Sequence, residues 1–252
     1  SESCVPGDFW SQEEISGPLG MVKYQFLEKR SHAVTIDWNN GQVEKFDMKL
    51  TPESSMLLPI RYDISASYIP QIGTSSKLEA LDEGFDLIYG NGQILNLDLD
   101  VYQPKRYKLT KRDGTVYIIG RETGVESITD TKGNVITFDS KGIHHSDGKS
   151  VIFKKDAQGR VTEVSDPEGR KVSYEYNEAG DLVKITDVRG ENAGFKYNRE
   201  HYLTDIIDSR GLNVARNEYD DEGRLIAAID ADGNRREFEH DLEGRRQVIR
   251  DR

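Results

Sequence analysis

The sequence predicts an all-β protein in which antiparallel hairpins recur about every 21 residues and pair side by side into one continuous curved sheet. From residue 130 onward, the pattern Asx-x-x-Gly recurs about every ten or eleven residues. Every second copy begins at 166, 187, 208, 230 and 251, which gives steps of 21, 21, 22 and 21 residues. Residues that favour strands fill the intervals between the copies. Each repeat is therefore one hairpin.

Each tetrad has the chemistry of a type I turn followed by a left-handed residue. Asp or Asn at the first position accepts hydrogen bonds from the turn's own amides, and Gly at the fourth position takes the left-handed backbone. The tetrad Asn198 to His201 ends in His, one of the few other residues enriched in that conformation. Asp139 to Gly142 is a further tetrad. The structural turn residues predicted from the pattern are Asp130, Gly133, Asp156, Gly159, Asp166, Gly169, Asn177, Gly180, Asp187, Gly190, Asp208, Gly211, Asp220, Gly223, Asp230, Gly233, Asp241 and Gly244.

The strands between the turns alternate with period two, as a half-buried antiparallel strand should. Val172, Tyr174 and Tyr176 fall on one face, and Lys171, Ser173 and Glu175 fall on the other. The step of 22 comes from one extra residue between positions 211 and 219, and a β-bulge absorbs such an insertion without exchanging the two faces.

One aromatic row recurs with the repeat, and it has two interpretations. It consists of Tyr174, Tyr176, Phe195, Tyr197, Tyr219 and Phe238. A row that recurs once per repeat is typical of a packed face, whereas exposed aromatic rings would stack on sugars. We favour the packed face and keep a carbohydrate-binding module as the alternative.

Residues 1–105 lack the repeat but still favour strands. Asn39 to Gly41 lies between two alternating segments, 33–38 and 42–46, and predicts a hairpin. Residues 90–92 (GNG) predict a second hairpin between 85–89 and 93–99. Residues 107–110 and 115–119 predict a third, joined through 112–114. Ile69 and Pro70 are expected in an irregular connection because proline lacks the ladder donor, and a short helix is expected near 76–81.

Composition excludes several classes of function. The net charge of −11 disfavours a nucleic-acid partner, since phosphate binding needs a basic surface. The basic cluster at 245, 246, 250 and 252 is expected to be solvated or paired with neighbouring repeats. No apolar segment approaches the roughly 20 residues of a membrane span, and no signal peptide is visible. Cys4 is the single cysteine, so no internal disulfide forms, and we interpret it as an incidental thiol.

No pattern of catalytic or metal-binding residues stands out. The acidic groups at 220–222 and at 230 and 232 lie in turns that already require Asp, and their spacing is not that of an EF-hand. His144 and His145 are the one candidate metal pair, yet neighbours on a strand point to opposite faces. We therefore expect no enzyme activity, no metal and no cofactor.

Several segments resemble the YD repeat of the Rhs family. These are 176–187 (YNEAGDLVKITD) and 219–225 (YDDEGRL), with 114–117 (GTVY), 130–138 (DTKGNVITF) and 159–170 (GRVTEVSDPEGR) resembling the entry into such repeats. More loosely, residues 8–9 and 17–19 (GPL) resemble the family's opening. The resemblance divides the chain into a β-rich section over 1–105 and YD/Rhs hairpin repeats over 106–252.

The resemblance implies a β-sheet that spirals into a hollow shell. Bacterial polymorphic toxins use such a shell to enclose a C-terminal toxin, and the extracellular teneurins are distant relatives. The implied partners are the rest of the shell and the enclosed toxin domain, and the implied location is outside the bacterium after secretion. This chain departs from the family in showing no self-cleaving core motif and no toxin domain. It stops where the next turn should begin, near Asp251, so we expect a fragment truncated in mid-repeat.

Overall fold

A computed structural model describes residues 5–16, 22–51, 54–56, 64–81 and 85–251. Within these ranges the secondary structure consists of β-strands, turns and bends. No helix there is long and apolar enough to cross a membrane. Cys4, residues 17–19 and Arg252, on which the sequence made predictions, lie outside the described residues.

The chain divides into two compact units, which we name the leading unit (1–139 and 144–148) and the repeat unit (140–143 and 149–252). The predicted boundary between residues 105 and 106 separates two sequence patterns and stays a prediction.

Among the described residues, thirteen strands lie wholly within the leading unit. They are β1 (Trp10–Ser16), β2 (Val22–Glu28), β3 (Ala33–Asp37), β4 (Val43–Thr51), β5 (Ser54–Met56), β6 (Ser65–Pro70), β7 (Lys77–Ala80), β8 (Ile88–Gly90), β9 (Gln93–Leu95), β10 (Arg106–Thr110), β11 (Val116–Gly120), β12 (Gly124–Thr129) and β13 (Val135–Asp139).

Three antiparallel groups build this unit. The strands β1, β2 and β5 form a small sheet, and β8 pairs with β9. The larger sheet runs in the order β3, β4, β6, β7, β10, β11, β12 and β13. Strict alternation on β4 sends every second side chain inward, so Phe46, Met48 and Leu50 are buried while their neighbours face outward. With Leu109 and Tyr102, which are also fully buried, they belong to one hydrophobic core.

Two sequence predictions for the leading section are wrong. Residues 77–80 form strand β7 on β10 rather than a helix, because the pairing of Leu78 with Leu109 buries an apolar side chain that a surface helix would expose. Ile69 and Pro70 belong to β6. Proline is tolerated there because it ends the strand and β6 meets β7 at a single residue pair, Tyr68 with Leu78.

The predicted hairpins of the leading section are present. The turn at 39–41 joins β3 to β4, with Val34 opposite Phe46. The hairpin at 90–92 is shorter than expected, because the Asn96 side chain accepts hydrogen bonds from the amides of Asp98 and Asp100 and turns the chain.

The remaining strands, β14 to β24, follow along the chain and are separated by short turns. They are β14 (Gly142–His145), β15 (Ser150–Lys155), β16 (Val161–Ser165), β17 (Lys171–Tyr176), β18 (Leu182–Thr186), β19 (Asn192–Tyr197), β20 (Leu203–Ile207), β21 (Asn213–Tyr219), β22 (Leu225–Asp230), β23 (Arg235–Asp241) and β24 (Arg246–Asp251).

From β15 to β24, each strand pairs antiparallel with the next one in sequence. The predicted fold class, an all-β chain of successive antiparallel hairpins, is confirmed. The extra residue of the 22-residue step is absorbed between β20 and β21, as predicted. Ile207 pairs with Asn213 and Ile206 with Ala215, so Val214 is the bulged residue.

Candidate functional site

The candidate site is the sheet of the repeat unit, whose two rows of turns are built by one hydrogen-bond scheme. We name the turns 156–160, 177–181, 198–202 and 220–224 the upper turns. The turns 166–170, 187–191, 208–212 and 230–234 are the lower turns. In the turn at Asp220, the carbonyl accepts from Gly223 N at 3.0 Å, and Oδ1 accepts from Glu222 N at 3.1 Å and from Arg224 N at 2.8 Å. Each leading Asx thus holds its own loop closed.

The scheme recurs down both rows, and it is also present at Asp130 in the leading unit. The backbone bond from the fourth residue to the leading carbonyl and the bond from the fifth amide to the leading side chain occur at Asp130, Asp156, Asp166, Asn177, Asp187, Asn198, Asp208, Asp220 and Asp230. The fourth residues adopt positive φ at Gly133, Gly159, Gly169, Gly180, Gly190, His201, Gly211, Gly223 and Gly233.

Two tetrads depart from the scheme. At Asp241 the loop is one residue longer, because Asp241 pairs with Arg246 across it. The left-handed conformation therefore moves from Gly244 to Arg245, whose φ is +51°. At Asp139 the strands leave a two-residue loop, and Gly142 lies inside β14, where a Cβ would collide with the Val151 carbonyl oxygen. Expecting a left-handed fourth residue at Gly244 was wrong.

The turn that begins at His145 was missed from the sequence because His replaces the leading Asx. Gly148 N donates to His145 O at 2.9 Å, Gly148 has a φ of +92°, and the His145 ring accepts from Asp147 N. The Asp147-Gly148 dipeptide was the available signal.

Hydrogen-bond donors within the turns lower the pKa of leading carboxylates such as Asp187 and Asp208. The backbone amide of Glu191, followed by that of Arg189, lowers the pKa of Asp187. The Leu212 amide and then the Arg210 side chain lower the pKa of Asp208. A carboxylate that accepts several fixed donors is a poor general acid at neutral pH, so these groups fit a structural role.

Strand pairing sorts the side chains of the repeat unit onto two different faces. Tyr174 lies opposite Ile185, Phe195 opposite Ile206 and Phe238 opposite Ile249. Just before each of the last three upper turns, a bulge sets Tyr176, Tyr197 or Tyr219 opposite a leucine. We name this the tyrosine face, and it is lined by Val172, Tyr174, Tyr176, Leu182, Ile185, Phe195, Tyr197, Leu203, Ile206, Tyr219, Leu225, Phe238 and Ile249.

All six aromatic residues predicted from the sequence lie on the tyrosine face, half-buried. Between residues 149 and 251, Ala227 is the one hydrophobic side chain that is fully buried. The aromatic row is therefore packed within a single sheet layer. It is neither a deep core nor a set of freely exposed rings.

At three places in the repeat unit, a side-chain donor reaches back to the preceding strand. The Tyr176 hydroxyl donates to the Val161 carbonyl at 2.9 Å, and the Tyr219 hydroxyl donates to the Leu203 carbonyl at 2.9 Å. His240 takes this position in the last repeat, with Nε2 at 2.7 Å from the Leu225 carbonyl. The sequence analysis missed His240, although it lies 21 residues after Tyr219.

The opposite face, which we name the charged face, carries ion pairs, most of which join adjacent strands. Glu163 contacts both Lys154 and Lys171, at 2.8 and 3.2 Å. The other pairs are Lys184 with Glu175, Arg216 with Asp205, Arg235 with Glu218 and Glu237, and Arg250 with Glu239. Arg246 lies 3.4 Å from Asp241. Two arginines of the C-terminal basic cluster are therefore paired.

The leading unit contains a buried polar cluster that sequence reasoning did not find. Glu44 accepts from Lys111 Nζ at 2.6 Å, from Ser76 Oγ at 2.5 Å and from Trp38 Nε1 at 3.1 Å. The Lys111 ammonium also lies 4.2 Å from the Trp38 ring centroid. Burial raises the pKa of Glu44, but the hydrogen bonds from Lys111, Ser76 and Trp38 outweigh it and lower the pKa. The cluster ties the turn after β10 to β4.

His144 and His145 lie beside different carboxylates. His144 Nε2 is 3.4 Å from Asp139, and His145 Nδ1 is 2.8 Å from Asp147. The described part of the chain has no group of three or more His, Cys, Asp or Glu side chains placed to share a metal ion.

The RHS Repeat family model matches residues 156–192 and 219–252, which include turns of both rows. These two segments of the chain are therefore similar to RHS repeats. No curated protein matches this sequence.

Among solved structures, a Photorhabdus luminescens Tc holotoxin pore is similar over 90% of this chain, with 11% identity and a TM-score of 0.44. A TcdB2-TccC3-TEV crystal structure is similar over 90% of the chain, with 12% identity and a TM-score of 0.45. The present chain spans 15% of the length of each of these two chains.

Proposed function

We propose that this chain is a non-catalytic segment of a YD-repeat shell that encloses the C-terminal toxin of a secreted bacterial Rhs-type polymorphic toxin. The observation that carries the proposal is the two-sided sheet of the repeat unit. One face is mainly aromatic and aliphatic, with one ion pair between Arg236 and Asp251 on its last two strands, and the other face carries an array of ion pairs. Each strand between β15 and β24 packs against its sequence neighbours. A single layer with this polarity is suited to a wall, with the charged face toward water and the tyrosine face toward contents.

The turn chemistry favours a wall over an enzyme. Each leading carboxylate accepts hydrogen bonds from backbone amides of its own turn. Its role is therefore to close the hairpin. Successive hairpins that satisfy one another's backbone groups extend a sheet without leaving an unpaired edge between repeats. The partners in this proposal are the remainder of the shell and the enclosed domain.

The test uses the full protein encoded by the gene that contains this chain, in a Cys4→Ser background. Phe195→Cys places a photo-crosslinker on the tyrosine face, and the matched control Lys196→Cys places it one residue away on the charged face. We expect the Phe195 site alone to crosslink to a protease-protected C-terminal domain. Equal crosslinking from both sites, or the lack of a protected domain, would contradict the proposal.

The carbohydrate-binding alternative stays a prediction. The six row aromatics are half-buried on the tyrosine face, and this arrangement does not favour sugar stacking. A glycan array tests it directly: binding that is lost on Tyr174→Ala would support the alternative over the wall.

A further inference from the structure

Successive upper turns contact one another according to a single rule. The fifth residue of one turn lies against the fourth residue of the next. Arg160 Nη1 lies 3.5 Å from the position that a Cβ on Gly180 would take. The Tyr202 hydroxyl fills the position that a Cβ on Gly223 would take. A long fifth residue is therefore matched with a glycine in the next turn.

In the contact between the second and third upper turns, the fifth residue is short and the fourth residue of the next turn is long. Here the fifth residue is the short Asp181, and the fourth residue of the next turn is His201, which is held at a φ of +65°. The His201 Nδ1 and Asp181 Oδ1 atoms are 2.7 Å apart. Asp181 Oδ2 accepts from Asn177 Nδ2 at 3.0 Å, so the carboxylate is oriented from its own turn. The Asp181 side chain is 12% exposed and that of His201 is 57% exposed.

The histidine found at 201 in place of glycine is thus matched by the short Asp181, which stands on the neighbouring turn in place of a long residue. An arginine or tyrosine at 181 would occupy the space that the imidazole uses. A glycine at 201 would leave the oriented Asp181 carboxylate without its donor. Each substitution, at 181 or at 201, is unfavourable only when the other position keeps its native residue. Such mutual dependence defines a complementary pair.

We infer that Asp181 and His201 form a specificity-determining lock between the hairpin β17–β18 and the hairpin β19–β20. The pairs Arg160 with Gly180 and Tyr202 with Gly223 are the steric form of the same lock. Because the pairs differ in size and polarity, they fix which hairpin lies beside which, and neighbouring repeats are not interchangeable. The inference goes beyond the proposed shell function, because it concerns the order of hairpins whatever the wall encloses.

A double-mutant cycle with Asp181→Ala and His201→Gly tests the lock, by urea unfolding of the intact chain. His201→Gly also relieves the left-handed strain of a non-glycine residue, but that term is equal in both backgrounds and cancels. We expect His201→Gly to raise the unfolding constant about two- to fivefold more when Asp181 is present than when Ala replaces it. An equal effect in the two backgrounds would overturn the inference.

Local hydrogen exchange of residues 177–203 provides a second readout that does not require the whole chain to unfold. Asp181→Arg should speed exchange there by forcing a long side chain against His201. Adding His201→Gly recreates the arginine and glycine pair of the preceding step and should restore slow exchange. Adding Glu200→Gly instead, in the same turn, should restore nothing. No rescue by His201→Gly, or equal rescue by Glu200→Gly, would show that the turns are not matched.

Discussion

The leading unit and the repeat unit are both antiparallel β, yet they are stabilised differently. In the leading unit, Phe46, Ile94 and Leu109 are fully buried in a core that joins residues distant in sequence. Among the described residues of the repeat unit, Ala227 is the one fully buried hydrophobic side chain, and most stabilising contacts join a strand or turn to its neighbour. A core makes a unit cooperative, whereas neighbour contacts make stability nearly a sum over repeats. Equivalent substitutions should therefore have unequal effects in the two units.

The largest effect is expected from the core of the leading unit. Phe46→Ala removes a ring that is 0% exposed, and the cavity should cost about 3–5 kcal/mol of unfolding free energy. The matched control is Phe195→Ala on the half-buried tyrosine face, which should cost about 1–2 kcal/mol because less area leaves a buried site. Denaturant unfolding followed for each unit by hydrogen exchange measures both. Equal costs would show that the repeat unit has a core of its own.

The next effect is expected from the buried ion pair. Lys111→Met leaves the Glu44 carboxylate without its cation, and we expect a loss of about 2 kcal/mol, since the pair retains some contact with water. The double variant Lys111→Met with Glu44→Gln removes both charges and should recover much of that loss. If the double variant is as unstable as the sum of the single variants, the two side chains do not act as a pair.

A smaller loss of stability is expected from the turn glycines, which have two roles. They adopt a left-handed backbone, and some leave space for a side chain of the neighbouring turn. Gly223→Ala meets a left-handed φ of +79° and the Tyr202 hydroxyl, so we expect a loss of about 2 kcal/mol. Gly190→Ala has the same backbone requirement at +85° but open space around the Cβ, and about 1 kcal/mol is expected. Thermal unfolding compares the two variants. An identical loss would mean that neighbouring turns do not touch at Gly223.

The smallest effect is expected from the turn carboxylates and depends on pH. The Leu212 amide and the Arg210 side chain lower the pKa of Asp208 in the folded chain. The stability it contributes is therefore present above its unfolded pKa of about 3.9 and is lost as the pH falls toward the lower folded value. Asp208→Asn keeps an acceptor, as Asn177 and Asn198 do naturally, but loses the charge. The stability gap between wild type and variant should close below about pH 4. A gap of the same size at pH 7 and pH 3 would rule out this linkage.

Much of the repeat unit was predictable because its structure is local. The bulge in the 22-residue repeat was predicted from the length of the repeat. Without a bulge, the extra residue would move every later side chain of the strand to the opposite face of the sheet. Lys77–Ala80 was misassigned because its partner, β10, lies about thirty residues away, and the pairing overrides local preference. The turn at His145 was missed because the search required an Asx at its first position.

The sequence by itself determined the hairpin period, the positions of the turns and the side chains on each face. These depend on backbone chemistry within five residues and on the two-residue period of a strand. Only the tertiary structure decided that Lys111 would neutralise Glu44, that His240 would replace a tyrosine, and that Asp181 would be matched to His201. Each of these contacts joins residues that strand register and hairpin packing bring together. The sequence could not predict them because such residues become neighbours only when the chain folds.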